Sequence, residues 1–251
     1  MTKSRPKPSP GSVPGPRRRP GLFISLEGIE GSGKTTQSAR LADWLSREGY
    51  EVIRTREPGG TPLAEALRDS LLNATDEPVA PWTEVLLVLA ARAQHVAQVV
   101  RPTLQRGAIV LCDRYVDSTL AYQAYGRGLP SAMLLRLHRQ VTDNLIPDLT
   151  LLFDVPVTVG LRRRRADGTK TNRLDEETGQ FHERVRHGFQ ALARKYPSRI
   201  HVIPSGRSPE RIHTDVKRLL LAVLTRRKDA PRRQNPTSTL PRQLMRAHAV
   251  R

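Results

Sequence analysis

Gly28-Ile29-Glu30-Gly31-Ser32-Gly33-Lys34-Thr35 fills every fixed position of G-x-x-x-x-G-K-[ST], and this motif leaves the chain few folds to choose from. Ahead of it, Leu22-Phe23-Ile24-Ser25-Leu26 is a short apolar run, the profile of a strand buried in a parallel sheet. Behind it, Ala39, Leu41, Ala42 and Leu45 follow helical spacing as far as Gly49. A glycine-rich turn between a buried strand and an amphipathic helix is the setting in which such a motif wraps a phosphate chain. The glycines let backbone N–H groups turn inward around a β-phosphate, and the helix N-terminus adds positive potential. Lys34 reaches the β- and γ-phosphates, and the Thr35 hydroxyl ligates magnesium. The spacing therefore predicts an ATP and Mg2+ site formed by Gly28, Ile29, Glu30, Gly31, Ser32, Gly33, Lys34, Thr35 and Thr36.

Downstream, strands are expected at 51–54, 108–112, 149–153 and 200–203. Helices are expected at 61–73, 81–106, from Pro156, about 175–195, and 209–225, with helical segments over about 116–145. Alternation of this kind predicts an α/β fold, a parallel five-stranded sheet with helices on both faces. Asp113 ends the third strand, where open α/β sheets place their ligands, so it can hold a magnesium-bound water while Arg114 reaches a phosphate. Cys112 lies in the apolar run 108–112 and reads as a buried strand residue. As the single cysteine it excludes an internal disulfide and fits a reduced, cytoplasmic setting.

The net charge of +18 suggests a nucleic-acid partner until it is located along the chain. Residues 1–21 carry six basic and no acidic side chains, residues 226–251 carry a net +7, and only +5 remains between them. Both tails are rich in proline and poor in large apolar residues, so they are expected to be disordered and nucleic acid is not the expected partner. The first tail is Arg-rich like a transit peptide, but its prolines spoil the amphipathic helix such a peptide needs. No apolar run approaches the roughly 18 residues of a membrane span.

Five ordered blocks specify more than the phosphate cradle does. Phe23-Ile24-Ser25-Leu26-Glu27-Gly28 runs into Gly31-Ser32-Gly33-Lys34-Thr35-Thr36-Gln37. Thr55-Arg56-Glu57-Pro58-Gly59-Gly60-Thr61 and Ala91-Arg92-Ala93-Gln94-His95 follow. Asp113-Arg114-Tyr115 comes with Ser118 and Ala121-Tyr122-Gln123, and Asn172-Arg173-Leu174-Asp175 leads to Phe181-His182-Glu183-Arg184-Val185. With these blocks the chain resembles thymidylate kinase over residues 22–225, a nucleoside monophosphate kinase-like P-loop fold. The resemblance implies dTMP as acceptor, a step in dTTP synthesis, and a homodimer. It implies that Arg114 and Arg56 grip the acceptor phosphate, that Arg68 approaches it, and that Glu30 faces the sugar and phosphate. Glu57 joins the substrate site by the same resemblance, and Glu57-Pro58 forms a cis-proline bend. Arg92 would reach O4 of the base, Thr119 and Gln123 the N3 edge, and Tyr122 would sit beneath the sugar and select deoxyribose. Where the family stacks an aromatic on thymine, this chain has Val88, followed by Leu89.

Arg162-Arg163-Arg164-Arg165-Ala166-Asp167-Gly168 resembles the family's lid, expected over about 162–173. The cradle contains no arginine, which matches the subgroup that supplies its transition-state arginines from the lid. Arg173 and Arg164 are the choices here, beside Lys34 and Arg114. Two other classes fit less well. A guanine-nucleotide switch needs Asn-Lys-x-Asp, and Asn144 is followed by Leu145. A deoxynucleoside kinase needs fewer phosphate-gripping arginines than Arg56, Arg68 and Arg114, and a nucleic-acid-binding ATPase would have to work through the tails.

Overall fold

The computed structural model describes residues 21–73, 77–168 and 171–229. The stretches 1–20 and 230–251, which hold most of the expected disordered tails, lie outside the described residues. Five strands, β1 (Leu22–Glu27), β2 (Val52–Arg56), β3 (Ile109–Asp113), β4 (Leu149–Asp154) and β5 (Ile200–Pro204), form one sheet in the order β2-β3-β1-β4-β5. Every neighbouring pair is parallel, as the alternating pattern predicts. The strands run slightly past their expected ends, far enough for Arg56 and Asp113 to become paired strand residues.

Strand alternation divides the core between the two faces. Leu22, Ile24 and Leu26 of β1 pack with Ile109, Leu111, Leu149, Leu151 and Phe153 beneath α1 (Lys34–Arg47) and α9 (Pro209–Asp229), which contribute Leu41, Trp44, Leu45, Val216 and Leu220. Phe23, Val110 and Cys112 face the other way, against Val96, Val100, Tyr115 and Val116. Cys112 is fully buried, and that burial pushes its thiol well above its ordinary range.

Several helices differ from expectation for identifiable reasons. The helix expected at 81–106 is α3 (Pro81–His95), a π-helical turn Val96–Val100 and α4 (Arg101–Gln105). Pro102 has no N–H for the helical ladder, and the turn before it widens so that Arg101 N–H reaches back to Val96 O. The stretch 116–145 is α5 (Val116–Thr119), a second π-helical turn Leu120–Gly126, and α6 (Ser131–Thr142) after Pro130. α2 covers Pro62–Leu72, and α7 (Val157–Ala166) contains the arginine run, so the first part of the expected lid is regular helix. α8 (Gly179–Lys195) starts later than expected, with the Thr178 side chain accepting from Phe181 N at 3.2 Å. α9 continues past 225 to Asp229, which moves the domain boundary. Arg227 belongs to the domain, donating to Gly21 O at 2.9 Å and to Asp148 Oδ2 at 3.3 Å.

Candidate active site

The carboxyl ends of β1, β2 and β3 open into a cavity of about 1400 Å³. That exceeds the roughly 300–1,000 Å³ of a single-ligand pocket and leaves room for two nucleotides. Sheet register builds its floor: Asp113 lies beside Leu26 on one side and Arg56 on the other, and the glycine-rich loop begins two residues beyond Leu26. In that loop Lys34 donates to Gly28 O (2.9 Å), Ile29 O (2.8 Å) and Ser32 Oγ (3.3 Å). Burial above all, then the neighbouring Arg114, pushes the Lys34 ammonium down to about 8. Gly31 has a φ of +66°, and a Cβ there would lie 2.0 Å from Gly160 O, so the loop rests on the backbone of α7. Thr35 and Asp113, the two expected magnesium ligands, face each other, with Thr35 Oγ1 donating to Asp113 Oδ2 at 3.3 Å. Asp113 Oδ1 is buried without a hydrogen-bond partner. Hard oxygens from a strand end and a helix start suit magnesium. Among the described residues no group of three or more His, Cys, Asp or Glu could hold a metal, so the remaining ligands would be phosphates and water, the partners magnesium commonly keeps.

Beside the loop stand the three arginines expected to grip the acceptor. Arg114 has a left-handed φ of 71°, rare for a residue with a Cβ and frequent at functional positions. That turn folds its guanidinium back to Gly28 O (3.0 Å), Ser118 Oγ (3.2 Å) and Glu30 Oε1 (2.8 Å), 5.1 Å from the centre of the Tyr122 ring. Burial opposes the Arg114 charge, but Tyr122, Glu30 and Asp113 outweigh it and raise its pKa. Glu30 accepts from Tyr122 Oη at 2.5 Å as well; burial opposes its ionisation, yet Arg114 and Lys34 hold it below the usual carboxylate range. Arg56, half exposed, donates to Glu65 Oε2 at 2.7 Å, and Arg68 donates to Pro58 O at 3.1 Å across the cis Glu57-Pro58 bond. Burial, then the nearby Arg56 and Arg114, lowers the Arg68 pKa.

At the far end of the cavity the expected base readers come together. Arg92 is 1% exposed and lines the wall with Thr119, Gln123 and Val88. Its Nε donates to Glu57 Oε2 (2.6 Å) and its Nη2 to Thr119 Oγ1 (2.8 Å), while Nη1 has no partner. Glu57, also on the cavity wall, takes Arg92 on Oε2 and His95 Nδ1 on Oε1 at 2.9 Å, so its carboxylate supports Arg92. Gln123 donates to Glu84 Oε2 at 3.2 Å. Val88 faces the cavity, whereas its neighbour Leu89 packs into the core with Val85 and Tyr122.

The lid arginines divide. Arg163 and Arg164 line the cavity. Arg163 donates to Ser205 O at 3.0 Å, and Arg164 donates to Asp167 Oδ1 at 3.0 Å and to Asp175 Oδ2 at 2.8 Å. Arg173, expected beside them, does not line the cavity, and the expectation is corrected. Its Nη1 donates to Glu84 Oε1 at 2.8 Å and its Nε to Leu71 O at 3.3 Å. A buried carboxylate on α3 has captured it.

This constellation can be set beside known proteins. The family model described as thymidylate kinase matches residues 26–216. The chain belongs to the thymidylate kinase family. A thymidylate kinase from Thermomicrobium roseum is 52% identical over 209 residues, covering 83% of this chain and 99% of the relative. One from Ectopseudomonas mendocina is 48% identical over 204 residues, covering 81% and 97%. A crystal structure of thymidylate kinase from Ehrlichia chaffeensis superposes with a TM-score of 0.66 at 36% identity, covering 80% of this chain and 100% of that one.

Three residues of this family member escape a sequence reading. Glu27 accepts from Tyr115 N (2.8 Å) and Ser118 Oγ (2.5 Å), holding the segment that carries Arg114; burial and the nearby Asp117 push its pKa up to about 8. Glu84, fully buried, accepts from Arg127 and Arg173, each at 2.8 Å. An acidic residue in the first turn of a helix reads as a favourable dipole contact, which hides this role. His182 is buried with both ring nitrogens unpartnered, its Nδ1 3.6 Å from Glu30 Oε2. Its place in the block Phe181–Val185 was its only signal.

Proposed function

We propose that the chain transfers the γ-phosphoryl group of ATP to dTMP, giving dTDP and ADP, a step in dTTP synthesis. One observation carries the reading: a single cavity has a phosphate cradle at one end, a buried arginine with an unpartnered donor at the other, and Arg56, Arg68 and Arg114 between them. Lys34 gives up its carbonyl partners to bind the β- and γ-phosphates of ATP. Thr35 and Asp113 would hold magnesium, which would neutralise charge on the phosphate oxygens. Arg114 and Arg56 orient the acceptor phosphate, Arg68 approaches it, and Glu30 faces the sugar above Tyr122, which leaves no room for a 2′-hydroxyl. Arg92 donates to O4 of the base, with Thr119 and Gln123 on the N3 edge. Arg164, assisted by Arg163, stabilises charge on the transferring group as the lid closes and excludes water. Arg173 anchors the lid's base through Glu84.

The test is ADP release measured with dTMP, dUMP, dCMP, UMP and GMP. Turnover highest with dTMP supports the reading, and turnover equal on all five overturns it. A homodimer through α2, α3 and α6 accompanies the proposal: these helices pack side by side and expose Leu63, Trp82, Leu86 and Met133. Sedimentation at micromolar concentration tests it. A cytoplasmic setting belongs to the same proposal; among the described residues no helix is long and apolar enough to cross a membrane. Full activity of a variant limited to residues 21–229 would dismiss nucleic-acid binding through the tails as the function.

A further inference from the structure

Arg92 is anchored by more than its own contacts, and the anchor extends to residues with no assigned role. Its guanidinium carbon lies 4.9 Å from the centre of the buried Tyr115 ring, so one face is covered. Glu57 Oε2 takes Nε and Thr119 takes Nη2, leaving Nη1 as the remaining donor nitrogen. Behind Glu57 the chain of contacts continues. A carboxylate only accepts, so His95 Nδ1 carries the proton in its 2.9 Å contact with Glu57 Oε1. His95 Nε2 lies 2.7 Å from Thr55 Oγ1 on β2. Glu57 and His95 are 3% and 0% exposed. Burial disfavours the Glu57 charge, but Arg92 and His95 hold its pKa below the usual range, so the carboxylate is ionised. The loop is shaped around this chain: a Cβ on Gly60 would lie 2.6 Å from His95 Cδ2 and 2.7 Å from Thr55 Oγ1.

We infer that Glu57 and His95, braced by Thr55, are positioning residues that determine base specificity by fixing the direction of Arg92 Nη1. A fixed donor there rewards an acceptor on the base and opposes the amino group that cytosine carries at the same place. Arg92 held only by Thr119 could swing and would discriminate less. Glu57 also lies between Arg56 and Pro58, so the residue that fixes the base reader is continuous with the loop that offers Arg56 to the phosphate. The inference rests on the function proposed above.

The test compares kcat/KM for dTMP and dCMP in the full chain and in Glu57→Gln, His95→Ala, His95→Asn and Thr55→Val. Loss of a contact with a charged group predicts that Glu57→Gln and His95→Ala lower the dTMP-to-dCMP ratio at least about tenfold, mostly through the KM for dTMP. The KM for ATP should not change. His95→Asn, whose amide can still donate to Glu57, should recover most of the ratio. Thr55→Val, the mildest change and the safeguard if the others fold poorly, should lower the ratio several-fold. An unchanged ratio in the folded variants overturns the inference alone, as does an equal fall on both substrates with a lower Tm. Absence of wild-type turnover with dTMP overturns the proposed function, and the inference with it.

Discussion

The two ends of the cavity are built on opposite plans. At the base end Arg92 is buried, stacked and hydrogen-bonded to fixed groups, with Nη1 left without a partner. At the lid end Arg164 is engaged by Asp167 and Asp175 and must exchange at least part of that pairing before it can meet a phosphate. The first plan favours ground-state recognition, since the contacts that hold Arg92 are already made in the free protein. The second favours an interaction made late, when the transferring group carries most charge, and interactions of that kind raise kcat. Recognition and acceleration are thereby assigned to different ends of one cavity.

The largest effect tests what the two ends share. Lys34→Ala should reduce phosphoryl transfer by at least about a thousandfold, because the charge lost serves ATP whichever end is intact. Circular dichroism should show an unchanged fold, and near-native turnover would remove Lys34 from the mechanism. Next, Arg164→Ala should lower kcat by roughly 30- to 1000-fold, equivalent to about 2–4 kcal/mol, with little change in either KM. A rise confined to KM would erase the contrast between the ends. Arg173→Ala should act mainly on stability, by about 1–2 kcal/mol, because Glu84 retains Arg127 and Gln123 as partners. Thermal unfolding measures that loss, and a kcat drop as large as that of Arg164→Ala would restore Arg173 to the chemistry.

A pH effect of middle size follows from Lys34. With its pKa near 8 in the free protein, the ammonium is charged at pH 7 and mostly neutral at pH 9. Bound phosphates raise that pKa, so the ATP complex holds the proton more tightly than the free protein does. ATP affinity should be full below about pH 8 and fall above it, by up to about tenfold per pH unit. Calorimetry in buffers of different ionisation enthalpy should register proton uptake on ATP binding at pH 9 and almost none at pH 7. The smallest effect belongs to the base end. Val88→Phe should lower the KM for dTMP several-fold, near the low end of the roughly 1–3 kcal/mol of a base–aromatic contact, because valine already supplies apolar surface. Kcat and the KM for ATP should hold. Lower stability without a KM change would mean that Val88 is packed too tightly to enlarge.

Sequence patterns carried the fold well because its determinants are local. Strand runs, the glycine motif and the proline at 81 each act within a few residues. The widened turns at Val96–Val100 and Leu120–Gly126 were not legible, because a π-helical turn changes the period by less than a short apolar pattern can register. In the site, the cradle was legible for the same local reason. Which arginine points where was not. Arg173 and Glu84 are 89 positions apart, and Glu57 and His95 are 38 apart, so only the folded chain brings these pairs together. Glu27 was hidden differently, since a carboxylate at the end of an apolar strand looks like the strand's exit to water.

The contact between Arg227 and Gly21 O has a practical side. Gly21 immediately precedes β1, at the amino edge of the sheet, and the cavity occupies the carboxyl edge. The described fold therefore begins and ends at neighbouring points on the pole opposite the cavity. A short linker between 229 and 21 would make a circular permutant with little detour, and a resin or fusion partner attached through either flank would leave substrate entry open.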